Sequence, residues 1–184
     1  FYQKNLKEKG SILLGYLWDA NFDLDDYVLD EMDHTIASLH KCCINQGSKL
    51  ENTTAIINAI KNPYINIIGH PDDSFYPLDY DAICQAAKEY NVLLELNNSS
   101  LLPTSFRAGA RENDITLLET CKKYNNNIIL GSDAHISHLI LHFDEVDELL
   151  KETNFPDELI VNTSKDKFIE FINRKRINIP KHYY

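Results

Sequence analysis

The stretch NIILGSDAH at 127–135 decides how the chain is read. Asn127-Ile128-Ile129-Leu130 is a short apolar run with β-branched residues, the composition of a strand covered on both faces. Gly131 permits a tight turn, and Ser132-Asp133-Ala134-His135 follows at the strand's carboxyl end. In an extended backbone, side chains two apart leave the same face, so Asp133 and His135 would converge on one point. A carboxylate and a neutral imidazole are oxygen and nitrogen donors suited to zinc, manganese or iron. The plainer alternative is an Asp that caps the following helix, with a surface His beside it.

Working outward, the same pattern recurs. Apolar runs at 12–18, 35–39, 64–68 and 92–96 read as strands, and they end in Asp19, His40, Gly69-His70-Pro71 and Asn97-Asn98-Ser99-Ser100. Residues 50–60, 79–90, 111–124 and 139–153 have helical spacing. A last strand is expected at 159–162, then a helix capped by Ser164 with Phe168, Phe171 and Ile172 inward. Residues 178–184 read as a loose tail. Strands alternating with helices imply crossover units around a parallel sheet, an α/β fold of the (β/α) barrel kind within one domain. Active sites of such barrels lie at the carboxyl ends of the strands. Three strands ending in His and two in Asp therefore point to a metal site built from Asp19, His40, His70, Asp133 and His135.

Other residues are weaker candidates. His34 precedes its strand and so belongs at the wrong end, on the surface. His138 and His142 are four apart, but HLILH lacks the Glu of HExxH. Asn98, Ser99 and Ser100 could touch a substrate or satisfy backbone groups. Arg107 and Arg111 are the basic residues best placed for an anionic group, with a solvated helix surface as the alternative for Arg111. The acidic residues at 23–33 lack the glycine and terminal glutamate of an EF-hand and read as a loop or short helix.

Composition narrows the function classes. The chain has 184 residues, 43% hydrophobic and 25% charged, which suits a globular domain with a sizeable core. Its net charge of -10 argues against non-specific binding to nucleic acid or an anionic membrane, though bound cations could still present a phosphorylated substrate with a positive field. There is no membrane-spanning run, glycine-rich phosphate loop or GxSxG elbow. Cys42, Cys43, Cys84 and Cys121 form no CxxC pair, so reduced thiols and a cytoplasmic location are expected.

SLH at 38–40, GHP at 69–71, LELNNSS at 94–100 and GSDAH at 131–135 occur in order and together resemble the PHP (polymerase and histidinol phosphatase) metal-dependent phosphoesterases. The likeness is strongest to the small stand-alone bacterial phosphatases and runs from about Leu14 to about Arg176. It implies a distorted seven-stranded barrel with a trinuclear centre, often of zinc or manganese. His40, His70, Asp133 and His135 match ligand positions, and Asp133 would also orient an attacking water. Asp19 stands where the family has Glu before Ala-Asn. The family's opening HxH strand, another upstream His and a DH-type strand end have no counterpart here. With a first residue other than Met, a fragment lacking the first strands is expected, weakly active at most and prone to self-association. The function implied is hydrolysis of a small phosphate monoester, with Asn98, Ser99 and Arg107 contacting the substrate. A different metal hydrolase of amidohydrolase type, or a degenerate metal-binding or interaction module, is the rival reading.

Overall fold

The computed structural model describes residues 11–15, 26–41 and 44–176. Among the described residues there are five strands: β1 (Ser11–Gly15), β2 (His34–Ser38), β3 (Ile67–Ile68), β4 (Leu93–Asn97) and β5 (Ile128–Gly131). All pair in parallel, in sequence order, so β1 and β5 form the edges of the sheet among the described residues. Parallel neighbours need crossovers. Helices α2 (Lys49–Lys61), α3 (Tyr80–Tyr90) and α5 (Ala110–Tyr124) supply them and pack in a row, α2 on α3 and α3 on α5. The remaining helices are α1 (Asp26–Asp30), α4 (Asn98–Leu101), α6 (Asp144–Glu152) and α7 (Lys165–Arg176). The expected parallel α/β architecture is therefore present.

Local chemistry places the helices. Ser48 caps α2 in a capping box: its hydroxyl accepts from the Glu51 N–H at 3.3 Å, and Glu51 Oε2 accepts from the Ser48 N–H at 2.8 Å. Pro63 follows the C-cap Asn62. Asp79 caps α3 through the Ala82 N–H, and Asn91 ends the helix in the left-handed region.

The two faces of the sheet differ. Ala37, Ile68, Leu94 and Ile128 face the main core with α2, α3 and α5. Ile67, Leu93 and Ile129, with Ile36 against them, meet Phe168, Phe171 and Ile172 of α7. On this second face the next inward position of β4 after Leu93 is Glu95. So α7 covers one end of the face, and its carboxyl end is polar.

Several expected boundaries shift. The strand expected at 159–162 is a pair of 3₁₀ turns, Asp157–Leu159 and Val161–Thr163, joined to β5 by one parallel bridge from Ile160 to Ile128. The reason is Asn162, whose side chain occupies the strand edge itself. Its Oδ1 accepts from the Leu130 N–H at 3.1 Å, and its Nδ2 donates to Leu130 O at 2.9 Å. The helix expected at 139–153 starts only at Asp144, because the Asn98 Oδ1 accepts the N–H groups of Glu145 and Val146, each at 3.1 Å, and fixes its first turn there. His138 and His142 therefore do not share a helix. The strand expected at 64–68 pairs as a strand only at Ile67–Ile68, with Asn66 joined to Thr35 by hydrogen bonds just ahead of it. His34 does open β2 at the end away from the site, but it is half-buried, its ring edge-on to Phe168 at 5.6 Å, and not a surface residue. Asp19, Cys42, Cys43 and the 178–184 tail lie outside the described residues. Cys84 and Cys121 are free, buried thiols 3.7 Å apart.

Candidate active site

The carboxyl ends of the strands carry the candidate residues. His40 follows β2 and His70 follows β3, and their rings meet edge to face with centroids 4.8 Å apart. His70 is 7% exposed and His40 half-buried. The Nε2 atoms of both are buried and have no hydrogen-bond partner among the described residues. Burial holds the His70 imidazole down at about 3, with the Arg107 and His40 charges adding to the effect and Asp133 opposing it. Burial and then Arg107 lower His40 as well. Both rings are therefore neutral near pH 7, the state in which a ring nitrogen can bind a metal.

Arg107 sits at the centre of this floor and is 8% exposed. Its Nη1 donates to the Ser100 Oγ at 3.0 Å, and its Nη2 donates to the Asp133 Oδ2 at 3.2 Å. Arg111, by contrast, pairs with Glu152 on the exposed surface and plays no part here. The strand-end polar residues Asn98 and Ser99 serve the backbone. Asn98 caps α6, and the Ser99 hydroxyl donates to Ser132 O at 2.8 Å.

Asp133 and His135 remain neighbours, with the His135 Nδ1 4.0 Å from the Asp133 Oδ1, but the His135 ring lies on the exposed side. Asp133 has a φ of +46°, so the backbone leaves the extended conformation at the residue on which the same-face argument depends. His135 consequently points outward, its side chain 84% exposed, with its Nδ1 2.9 Å from the Asp133 carbonyl oxygen. Asp133 itself stays in the site through Arg107. Among the described residues no three His, Cys, Asp or Glu side chains are gathered as a metal-binding group.

Three carboxylates absent from the sequence-based candidates complete the floor. Glu95 is half-buried on β4. Its Oε2 accepts from the His70 N–H at 2.8 Å and from the Asn97 Nδ2 at 3.2 Å. His70 has a φ of +31°, so this bond secures an unfavourable turn at a strand end. Gly69 and Gly131 flank Glu95, and a Cβ on Gly131 would fall 2.8 Å from the Glu95 Cδ. Burial pushes the Glu95 carboxyl up to about 7, against the pull of its two hydrogen bonds. Asp72 and Asp114 are wholly buried, and none of their four oxygens meets hydrogen-bond geometry among the described residues. Burial pushes Asp72 up to about 6, while the nearby Ser100 hydroxyl and the Arg107 charge pull the other way. Asp114 is raised well above the usual range by burial and then by Asp72 and Glu95. Arg107 opposes the rise in both aspartates and so acts as the common counter-charge of this floor.

Signals for these three were present in the sequence. Glu95 interrupts the apolar run VLLELN. Asp114 stands on the same helical stripe as Leu117, Leu118 and Cys121, at a position where burial is expected. Asp72 follows the GHP motif directly. Charged residues are rarely fully buried without a partner, so each is a place where packing alone is not the explanation.

In fold, the chain is similar to a chain from a cryo-EM structure of archaeal ribonuclease P with mature tRNA. The TM-score is 0.59 at 14% identity, over 100% of this chain and 77% of that one. No family model matches the sequence. Curated relatives do. The chain is 42% identical over 157 residues to a probable phosphatase of Clostridium acetobutylicum, covering 85% of this chain and 64% of the relative. It is 43% identical over 162 residues to a probable phosphatase of Caldicellulosiruptor saccharolyticus, covering 88% and 66% respectively. A probable phosphatase of Clostridium novyi is 40% identical over 158 residues, 86% of this chain and 64% of that protein. The chain thus spans 64–66% of the length of these relatives.

Proposed function

We propose that this chain carries the working face of a metal-dependent phosphatase of the PHP type, which hydrolyses small phosphate monoesters with water as the nucleophile. The observation that carries the reading is the His40–His70 pair, neutral, in contact, and with both Nε2 atoms buried and unpartnered. A buried nitrogen without a partner is costly. Two neutral imidazoles are nitrogen donors of the kind that zinc or manganese takes, and the Asp133 carboxylate is close enough to act on both electrostatically. The relatives are named probable phosphatases, which supports phosphate-ester hydrolysis. The parallel sheet in sequence order is what a segment of a distorted seven-stranded barrel would supply.

In this reading His40, His70 and Asp133 would hold divalent cations, with Asp19 and His135 as further candidate ligands. When bound, such a cation lowers the pKa of water and offsets the charge of the phosphoryl group. The chain's own residues do the positioning. Arg107 is held in one pose by Ser100 and Asp133 and offers its charge to the phosphate oxygens. Asp133 accepts a hydrogen bond from the attacking water and so orients it. Asn98 and Ser99 act by fixing the loops that carry Asp133 and α6. Glu95 keeps His70 in its turn.

The test pairs elemental analysis with hydrolysis of p-nitrophenyl phosphate, on the wild-type protein and on His40→Ala and His70→Ala. Each substitution is expected to lower bound zinc or manganese and to slow hydrolysis by at least about tenfold. A protein that takes up neither metal and hydrolyses no phosphate ester would overturn the reading. So would variants that keep wild-type metal content and rate.

A further inference from the structure

Beyond the floor of the site, three strand-end segments bring an aromatic and cationic rim together. Lys41 follows β2, Phe75 follows β3, and Phe106 lies between α4 and α5. The Lys41 ammonium is 4.7 Å from the Phe75 ring centroid and 5.8 Å from that of Phe106. It is held by Asp73 at 3.1 Å, a carboxylate whose side chain is only 10% exposed. The Arg107 guanidinium lies 5.3 Å from the Phe106 centroid. Phe106 is thus bordered by two cations, yet it is 73% exposed.

A single exposed phenylalanine needs no explanation. The position of this one does call for one. It is next in sequence to Arg107, the residue assigned to the phosphate, and beside Lys41, which follows His40. A group attached to a phosphate on Arg107 would lie within reach of the Phe106 ring. An alkyl group there would gain only buried area. An aromatic group would also gain stacking on Phe106 and a cation–π contact with Lys41. The Lys41–Asp73 pair is already formed, so little side-chain freedom is lost on binding.

We infer that Phe106, Phe75 and Lys41 form the leaving-group subsite, and that the preferred substrates are phosphate monoesters with an aromatic ring at or next to the ester oxygen. This rests on the phosphoesterase reading above and adds to it a substrate class and a specificity-determining residue, Phe106.

The experiment is calorimetric titration in manganese-containing buffer with methylphosphonate and phenylphosphonate, which share the anionic head and are not hydrolysed. Phenylphosphonate is expected to bind about fivefold to tenfold more tightly than methylphosphonate. In Phe106→Ala the ratio is expected to fall to within about twofold. Tyr27→Ala, at a comparably exposed aromatic on α1 ahead of β2, should keep the wild-type ratio. Equal binding of the two ligands by the wild type, or a ratio that survives Phe106→Ala, would overturn the subsite while leaving the phosphate site standing. Failure of both ligands to bind would overturn the phosphate site and the subsite with it.

Discussion

Gly131→Ala offers a direct test of how the floor of the site is built. Gly131 is not among the residues with positive φ, so alanine brings no backbone penalty of its own. The obstacle is Glu95, since the new Cβ would fall 2.8 Å from its Cδ and 3.2 Å from its Cγ. Glu95 cannot swing away freely, because its Oε2 accepts from both the His70 N–H and the Asn97 amide. Displacing it breaks two hydrogen bonds to a charged acceptor and leaves the His70 N–H unpaired. That should destabilise the protein by about 2–4 kcal/mol. In a Glu95→Ala background the obstruction is gone. There the same substitution should be close to neutral or stabilise by about 0.5 kcal/mol, through the lower freedom of the unfolded chain. Urea unfolding of the four proteins without metal, at pH 8 where Glu95 is ionised, measures the coupling directly. The expected coupling energy is about 2–4.5 kcal/mol. Equal costs of Gly131→Ala in the two backgrounds would refute the argument.

Two further predictions concern the same floor. Glu95 is pushed up from 4.5 to about 7 and Asp72 from 3.8 to about 6, so the folded protein holds protons that the unfolded chain has released. Their contribution to stability is complete below the ordinary carboxylate range and is lost as pH rises through these raised values. His70, held near 3 against an ordinary 6.5, has the opposite sign: its contribution is complete above 6.5 and fades as pH falls. The stability of the metal-free wild type minus that of Glu95→Gln should therefore decline as pH rises across the interval from 4.5 to 7, and a flat difference in denaturant titrations would count against it. Arg107→Leu removes the partner of Asp133 and the counter-charge of Asp72 and Asp114, and should cost about 2–3 kcal/mol. Adding Asp133→Asn should recover part of that loss in thermal unfolding, whereas no recovery would mean that Asp133 is not the group Arg107 compensates.

Local patterning was enough to read the class of fold. Apolar β-branched runs such as 127–130 can be buried on both faces only in a parallel sheet, and helical stripes between them must be the crossovers. The strand-end placement of His40, His70 and Asp133 followed from the same pattern, because a run that ends in a polar residue ends at the mouth of the sheet. Three features escaped this patterning, two through contacts distant in sequence and one through a local backbone turn. Asn162 reaches across to Leu130 and replaces a strand with a side chain, an exchange of hydrogen bonds that no local propensity encodes. The left-handed backbone of Asp133 turns His135 out to solvent, which a period-of-two argument cannot foresee. Glu95 and Asp114 were visible as charges within apolar patterns, and Asp72 as a charge beside the GHP motif. What surrounds them was not, because Arg107, Asp72, Asp114 and Glu95 come from four separate parts of the chain. Periodicity settles which face a side chain takes, since it is a property of neighbouring residues. The partner that a buried charge finds there is decided only when tertiary packing sets the desolvation and brings the opposing charge into range.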